Sequence, residues 1–231
     1  LGEPGEAGFP LRSSVRRGLL SYPAGVRRSR PAVVVFDVGG VLAEPEGGIA
    51  ALAAEARVDV TGFTTAYWRY RDGYDLGGAV DEYWTQVGAD VGRRLAPAEV
   101  RRLDRRDAQR WAELAPRLVE LVERVAHSGV RMALFSNAPH SLAAEVRSSG
   151  WGALFPTKVF SCETGVAKPR SGAYEAVEDA LGLSGGELMF FDDRPANVAA
   201  ARERGWSAHQ WQGPWQCVAD LAAGGVSILP G

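Results

Sequence analysis

The chain has 231 residues, 46% of them apolar and 23% charged, with a formal net charge of −2. That is room for one large domain, or for one carrying a smaller insert, with a sizeable core. So balanced a charge gives no footing for a nucleic-acid or anionic-membrane partner, and no apolar run approaches the length of a membrane span.

Residues 1–30 hold six Arg against two Glu, which leaves net −6 on residues 31–231. Arg16-Arg17 resembles a twin-arginine export signal, but no apolar stretch of signal-peptide length follows. A flexible extension is expected there. The run Ala32-Val33-Val34-Val35-Phe36 then leads into Asp37, Val38 and the pair Gly39-Gly40. A short valine-rich run reads as a strand covered on both faces, as in a parallel sheet. Asp37 therefore falls at its carboxyl end, where open α/β sheets place their ligands.

Residues 46–114 read as helical throughout. A helix covers 49–56, and a second runs from Phe63 to Tyr74 with Phe63, Tyr67, Tyr70 and Tyr74 on one face. Gly77-Gly78 interrupts the pattern, Asp81 is a candidate N-cap for a helix carrying Tyr83, Trp84 and Val87, and Pro97 opens the last helix of the block. The aromatic residues are expected to form the core of a small bundle. Arg101, Arg102, Arg105, Arg106 and Arg110 are interleaved with Glu99, Asp104 and Asp107, the pattern of a solvated, salt-laced helix face.

From about 115 the chain alternates helix and strand. Helices are expected from Pro116, over 139–149, through Tyr174 and Leu181, and from Pro195 to Gly205. Strands are expected over 130–135, 158–161, 188–191 and 206–211. Such alternation argues for a parallel sheet with helices on both faces, the helical block being an insertion after the first strand. The expected division is an extension over 1–30, a core over 31–45 and 115–231, and a helical cap over 46–114.

Three of these strands end in polar residues: Asp37, Ser136-Asn137 and Asp192-Asp193. In a parallel sheet those ends share one edge, and Lys168, at the mouth of a helix, can reach it. Only two lysines (Lys158, Lys168) and two asparagines (Asn137, Asn197) occur in the chain, and three of the four fall in these segments. Taken singly, Ser136-Asn137 could cap the next helix and Asp192-Asp193 could complement a helix N-terminus. Together they crowd three carboxylates around one point, which a hard divalent cation such as Mg²⁺ would relieve. A lysine and a hydroxyl beside such a cation suit a phosphoryl group, and a free carboxylate oxygen can attack phosphorus to form an aspartyl-phosphate. The two cysteines, Cys162 and Cys217, are too few for a disulfide framework and lack zinc-site spacing, which fits a reducing cytoplasm.

These segments resemble the four motifs of the haloacid dehalogenase-like hydrolase superfamily, in the branch with a helical cap inserted after the first strand. Phe36-Asp37-Val38-Gly39-Gly40-Val41-Leu42 is similar to the first motif, Leu134-Phe135-Ser136-Asn137 to the second and Ala167-Lys168-Pro169 to the third. Phe190-Phe191-Asp192-Asp193 followed by Asn197 is similar to the fourth in its Asp-Asp form. The resemblance implies a Rossmann-like α/β core and a magnesium-dependent phosphatase acting on a small phosphate ester. It implies Asp37 as nucleophile, and Val38, Gly39, Ser136, Asn137 and Lys168 around the phosphate. Asp37, the Gly39 carbonyl and Asp193 would hold the metal, with Asp192 beside it. Arg69, Arg71 and Tyr74, near the Gly77-Gly78 turn, are the candidate cap residues for meeting the leaving group, with packing the alternative for Tyr74.

Most phosphatases of the superfamily carry a second Asp, the general acid, where this chain has Gly39. That variant resembles a branch with α-glucose-1-phosphate phosphatases and the amino-terminal phosphatase domains of epoxide hydrolases, so a sugar phosphate is the favoured substrate. The alternative is a phosphate-binding or regulatory module that lost turnover with the acid. The haloacid dehalogenases themselves are less similar, having an aromatic residue at the Gly39 position and no Asp-Asp pair. Nothing in the sequence sets an oligomeric state.

Overall fold

The computed structural model describes residues 30–44 and 47–228. The extension expected over 1–30 lies, but for Arg30, outside the described residues. Strand β1 (Val33–Phe36) is followed by five helices: α1 (Gly48–Ala56), α2 (Val60–Arg69), α3 (Arg71–Asp75), α4 (Val80–Asp90) and α5 (Pro97–Ala112). Alternation then begins with α6 (Pro116–His127), β2 (Arg131–Ser136), α7 (His140–Ser148), β3 (Thr157–Phe160), α8 (Ser161–Thr164) and α9 (Ser171–Leu181). It ends with β4 (Leu188–Asp192), α10 (Pro195–Glu203), β5 (Ser207–Gln210) and α11 (Pro214–Ala223).

All five strands are parallel, in the order β3-β2-β1-β4-β5, so β1 is central. Val33 pairs with Arg131 on one side and Leu188 on the other, which brings the carboxyl ends of β1, β2 and β4 level. Successive side chains alternate between faces. Val34, Phe36, Leu134 and Phe191 pack with Leu121 and Val125 of α6, Val146 of α7 and Leu221 of α11. Val33, Val35, Phe135 and Phe190 pack on the opposite face with Tyr174 and Val177 of α9 and Val198 of α10. The sheet is thus covered twice, which is why its strands read as unbroken apolar runs. The helical insertion has a core of its own, built on Phe63, Tyr67, Trp84 and Leu103, all fully buried. No helix of the described residues is long and apolar enough to cross a membrane.

Several expectations need correcting. The helix expected over Phe63 to Tyr74 is two helices that meet at Tyr70, where the backbone is distorted to φ −105° and ψ 0° and the hydroxyl donates to Asp90 at 3.1 Å. Asp81 is not an N-cap. Ala79 holds that position and Asp81 lies in the first turn of α4, where its charge still favours the helix N-terminus. The short helix α8 and the final helix α11 were unexpected, although Pro214, with Cys217 and Leu221 buried one turn apart, is a helix-start signal. On α5, Arg102 and Arg106 meet Glu55 at the surface as the charge pattern suggests, whereas Arg110 turns inward to the buried Asp107. Both cysteines are buried and unpaired.

Candidate active site

The level carboxyl ends bring the polar residues together around Lys168. Its side chain is 1% exposed, and its Nζ lies 2.9 Å from Asp37 Oδ2, 2.7 Å from Asp192 Oδ2 and 2.8 Å from the carbonyl of Phe135. An ammonium has three hydrogens, so every donor is used. The faces of Phe135 and Phe190 flank it. Asn137 fixes the backbone that carries the lysine: its Oδ1 accepts the Lys168 N–H at 2.9 Å, and its Nδ2 donates to the Lys168 carbonyl at 3.0 Å.

Asp192 is fully buried and both its oxygens are engaged. Oδ1 accepts from the Arg194 N–H and from Asn197 Nδ2, and Oδ2 from Lys168 and again Asn197. Asp37 receives the Val38 N–H on Oδ1 at 2.7 Å, and Ser136, buried at the end of β2, lines the cavity beside it and favours its charged form. Burial pushes the Asp37 carboxyl up to about 7 against the pull of Lys168, and Asp192 adds to the rise. Lys168 is held above its ordinary value because Asp37 and Asp192 outweigh the burial that opposes its charge. Asp193 is half-buried and also raised, by burial and then by Asp192.

Asp37, Asp192 and Asp193 each offer an oxygen within 4.8 Å of the others. Three carboxylates against one ammonium leave excess negative charge, and oxygen ligands so placed fit a hard divalent cation. The turn is shaped to admit this cluster. Gly40 has φ +74°, and a Cβ there would stand 2.6 Å from Asp193 Oδ2, so only glycine lets Asp193 approach.

Over this edge the helical insertion closes a cavity of about 500 Å³. Asp37, Ser136, Asn137, Lys168 and Asp193 line its floor, while Trp68, Arg71, Asp72, Asp75, Leu76 and Trp111 line its roof. Of the candidate cap residues only Arg71 reaches the cavity. Arg69 points away and pairs with Asp90 at 2.7 Å, and Tyr74 is buried against Asp104 and Ser141, so neither faces the cavity. Arg71 is itself committed, to Asp75 at 2.6 Å and to Asp107 at 2.9 Å.

Asp107 also binds Arg110 at 2.8 Å and the Tyr67 hydroxyl, and Trp111 Nε1 donates to that hydroxyl at 3.1 Å. This network sets the Trp111 ring over Gly39, where a Cβ would meet it at 3.5 Å. Trp68, Asp72, Asp75 and the lid-like place of Trp111 could not be picked out from the sequence. A helical stripe shows what a helix buries in its own bundle, not what it turns toward a second domain.

Solved structures share this architecture. A HAD-like family hydrolase from Porphyromonas gingivalis superposes with a TM-score of 0.64 at 21% identity, over 84% of this chain and 98% of that one. A HAD family enzyme from Bacteroides thetaiotaomicron, in complex with magnesium and inorganic phosphate, gives 0.60 at 18%, over 77% and 92%. The L-2-haloacid dehalogenase from Xanthobacter autotrophicus with covalently bound chloropropionic acid gives 0.61 at 19%, over 85% and 84%. No curated protein matches the sequence. Identities this low speak to the fold alone, but the sequence carries its own signature over residues 31–205, the stretch that holds Asp37, Ser136, Lys168 and the Asp192-Asp193 pair. On that match the chain belongs to the haloacid dehalogenase-like hydrolases.

Proposed function

We propose that this hydrolase is a magnesium-dependent phosphatase of a small phosphorylated metabolite, working through an aspartyl-phosphate on Asp37. The observation that carries the reading is the placement of Lys168 Nζ between Asp37 and Asp192, with the Asp193 carboxylate beside them and free of any ion pair among the described residues. Lys168 holds the nucleophile's oxygen in place while its charge offsets that of an incoming phosphoryl group. Ser136 and the backbone N–H groups of Val38 and Gly39 supply hydrogen bonds to phosphoryl oxygens. Asn137 acts through the Lys168 backbone, and Asp192, its oxygens occupied, orients the lysine. Asp37, Asp193 and the Gly39 carbonyl are the residues that would hold Mg²⁺, with Asp192 next to them. When bound, the ion supplies charge stabilisation for the phosphoryl oxygens.

The boundaries we assign are 31–45 and 115–231 for the core and 46–114 for the cap, which shields the reaction from water and selects the leaving group. Trp68, Arg71 and Trp111 line the cavity whereas Arg69 and Tyr74 do not, which supports the first three as the cap's contribution. A sugar phosphate remains the favoured substrate, because an anomeric oxygen leaves more readily than an ordinary alcohol when Gly39 offers no acid. The same glycine favours the second reading, a phosphate-binding module without turnover. Phosphate release from a panel of sugar phosphates, nucleotides and acyl-phosphates with Mg²⁺ separates the two. Turnover that Asp37→Asn lowers by at least about 10³-fold supports the enzyme, and phosphate binding with no ester hydrolysed supports the module.

A further inference from the structure

The phosphatase reading, on which this inference rests, leaves the departing oxygen without a proton source on the core side, since Gly39 has no side chain. The cavity contains two carboxyl groups outside the acidic cluster, both from the cap: Asp72 and Asp75. Asp72 is exposed and has no side-chain partner among the described residues, so nothing orients it. Asp75 is different. Its side chain is 14% exposed, and Arg71 Nε grips one oxygen, Oδ1, at 2.6 Å while Oδ2 has no hydrogen-bond partner among the described residues. Its backbone carbonyl is tied to the core at the same sheet edge: Ser161, the first residue of α8 directly after β3, donates its hydroxyl to it and accepts the Ala138 N–H at 3.0 Å.

The geometry points to Asp75 as the proton donor to the leaving oxygen, taking from the cap side of the cavity the part that Gly39 cannot play. As the Asp37 Oδ–P bond forms and the ester P–O bond breaks, the proton on Asp75 Oδ2 passes to the departing oxygen, releasing a neutral alcohol or phenol. Water then attacks the aspartyl-phosphate and gives a proton back to Asp75, restoring its acid and the Asp37 carboxylate and freeing hydrogen phosphate. The balance closes with no further reactant.

The electrostatic setting supports this. Burial raises the Asp75 carboxyl to about 6, with Arg71 pulling the other way. Among the described residues, Asp72 on its own helix, Asp107 of α5, Tyr83 of α4 and Cys162 of α8 are titratable groups that face it, and the Tyr67 hydroxyl of α2 meets its partner Arg71. Arg71 is also balanced by Asp107, so a protonated Asp75 does not leave it without a counter-charge.

The test compares phenyl phosphate with p-nitrophenyl phosphate, which have nearly the same shape and differ in how much help the leaving oxygen needs. Wild-type enzyme with Mg²⁺ is expected to hydrolyse both. Asp75→Asn should lose about 10²-fold or more in kcat on phenyl phosphate and at least tenfold less than that on p-nitrophenyl phosphate. Asp72→Asn should keep the wild-type ratio of the two rates. In the Asp75→Asn background, Gly39→Asp should recover phenyl phosphate turnover.

Equal losses on both esters, no loss on either, or the selective loss appearing in Asp72→Asn overturns the assignment and leaves the phosphatase reading standing. Wild-type enzyme that turns over neither of these esters nor any member of the wider panel overturns both. Should Asp75→Asn fail to fold, Gly39→Asp alone decides. A gain below about tenfold on phenyl phosphate means an acid is already present, and a gain of tenfold or more means none was.

Discussion

Lys168 has three hydrogens and three oxygens that claim them, and its side chain is almost entirely buried. Removing one partner of a buried ion pair costs about 3–5 kcal/mol, because the charge left behind keeps its desolvation penalty. Lys168→Met keeps the length of the side chain but leaves Asp37 and Asp192 facing each other with no cation between them. We expect urea denaturation to show a loss of that size, together with loss of phosphate release. A variant within about 1 kcal/mol of wild type would mean that the carboxylates shed their charge by protonation instead. The presence of chemistry at this point was legible in the sequence, since each strand end carries its polar residue. Which atoms meet was not: that Asp192 spends both oxygens on Lys168, Arg194 and Asn197 depends on a loop arriving from 24 residues upstream in the chain.

At the scale of elements, the cap is organised by the buried carboxylate of Asp107 on α5. It collects Arg71 from α3, Arg110 one turn along its own helix and the Tyr67 hydroxyl of α2. Asp107→Ala would leave two guanidinium groups sharing one hydroxyl and Asp75, so about 3–5 kcal/mol of cap stability should disappear. It should also free Trp111 from its place over Gly39. Hydrogen exchange is the measurement: amides of α2 and α5 should exchange faster than in wild type while those of β1 and β4 change little. Equal loosening of the sheet would show that cap and core unfold as one unit.

The sequence made the aromatic core of this bundle plain, because Phe63 and Tyr67 lie one helical turn apart on one helix and Tyr83, Trp84 and Val87 cluster on a later one. Of the cap residues it offered, Arg71 lines the cavity, whereas Arg69 pairs with Asp90 and its neighbour Trp68 lines the cavity in its place. One residue along a helix is about 100° of rotation. Only the docking of the cap on the sheet edge decides which side of α2 faces inward.

For the molecule as a whole, a carboxyl group that the fold keeps protonated ties stability to pH. Asp75 holds its proton to about 6 in the folded protein, against an ordinary value of 3.8 that the unfolded chain recovers. Between those two values the native state binds more protons than the unfolded one, so stability falls as pH rises. The contribution of this one group is complete below about 3.8 and gone above about 6, with a slope near 1.4 kcal/mol per pH unit between. Other carboxyl groups titrate in the same window, Asp37 among them, so the wild-type slope alone does not isolate it. The difference between wild type and Asp75→Asn does, because both proteins carry the same remaining groups. Denaturant unfolding in metal-free buffer at pH 4, 5 and 6 should show wild type losing about 1.4 kcal/mol more per unit than the variant. Parallel curves would place the proton elsewhere, and a wild type that gains stability over this range relative to the variant would mean that Arg71 holds Asp75 ionised. That result would also remove the electrostatic support for a donor on the cap, since a carboxylate already without its proton has none to give the leaving oxygen.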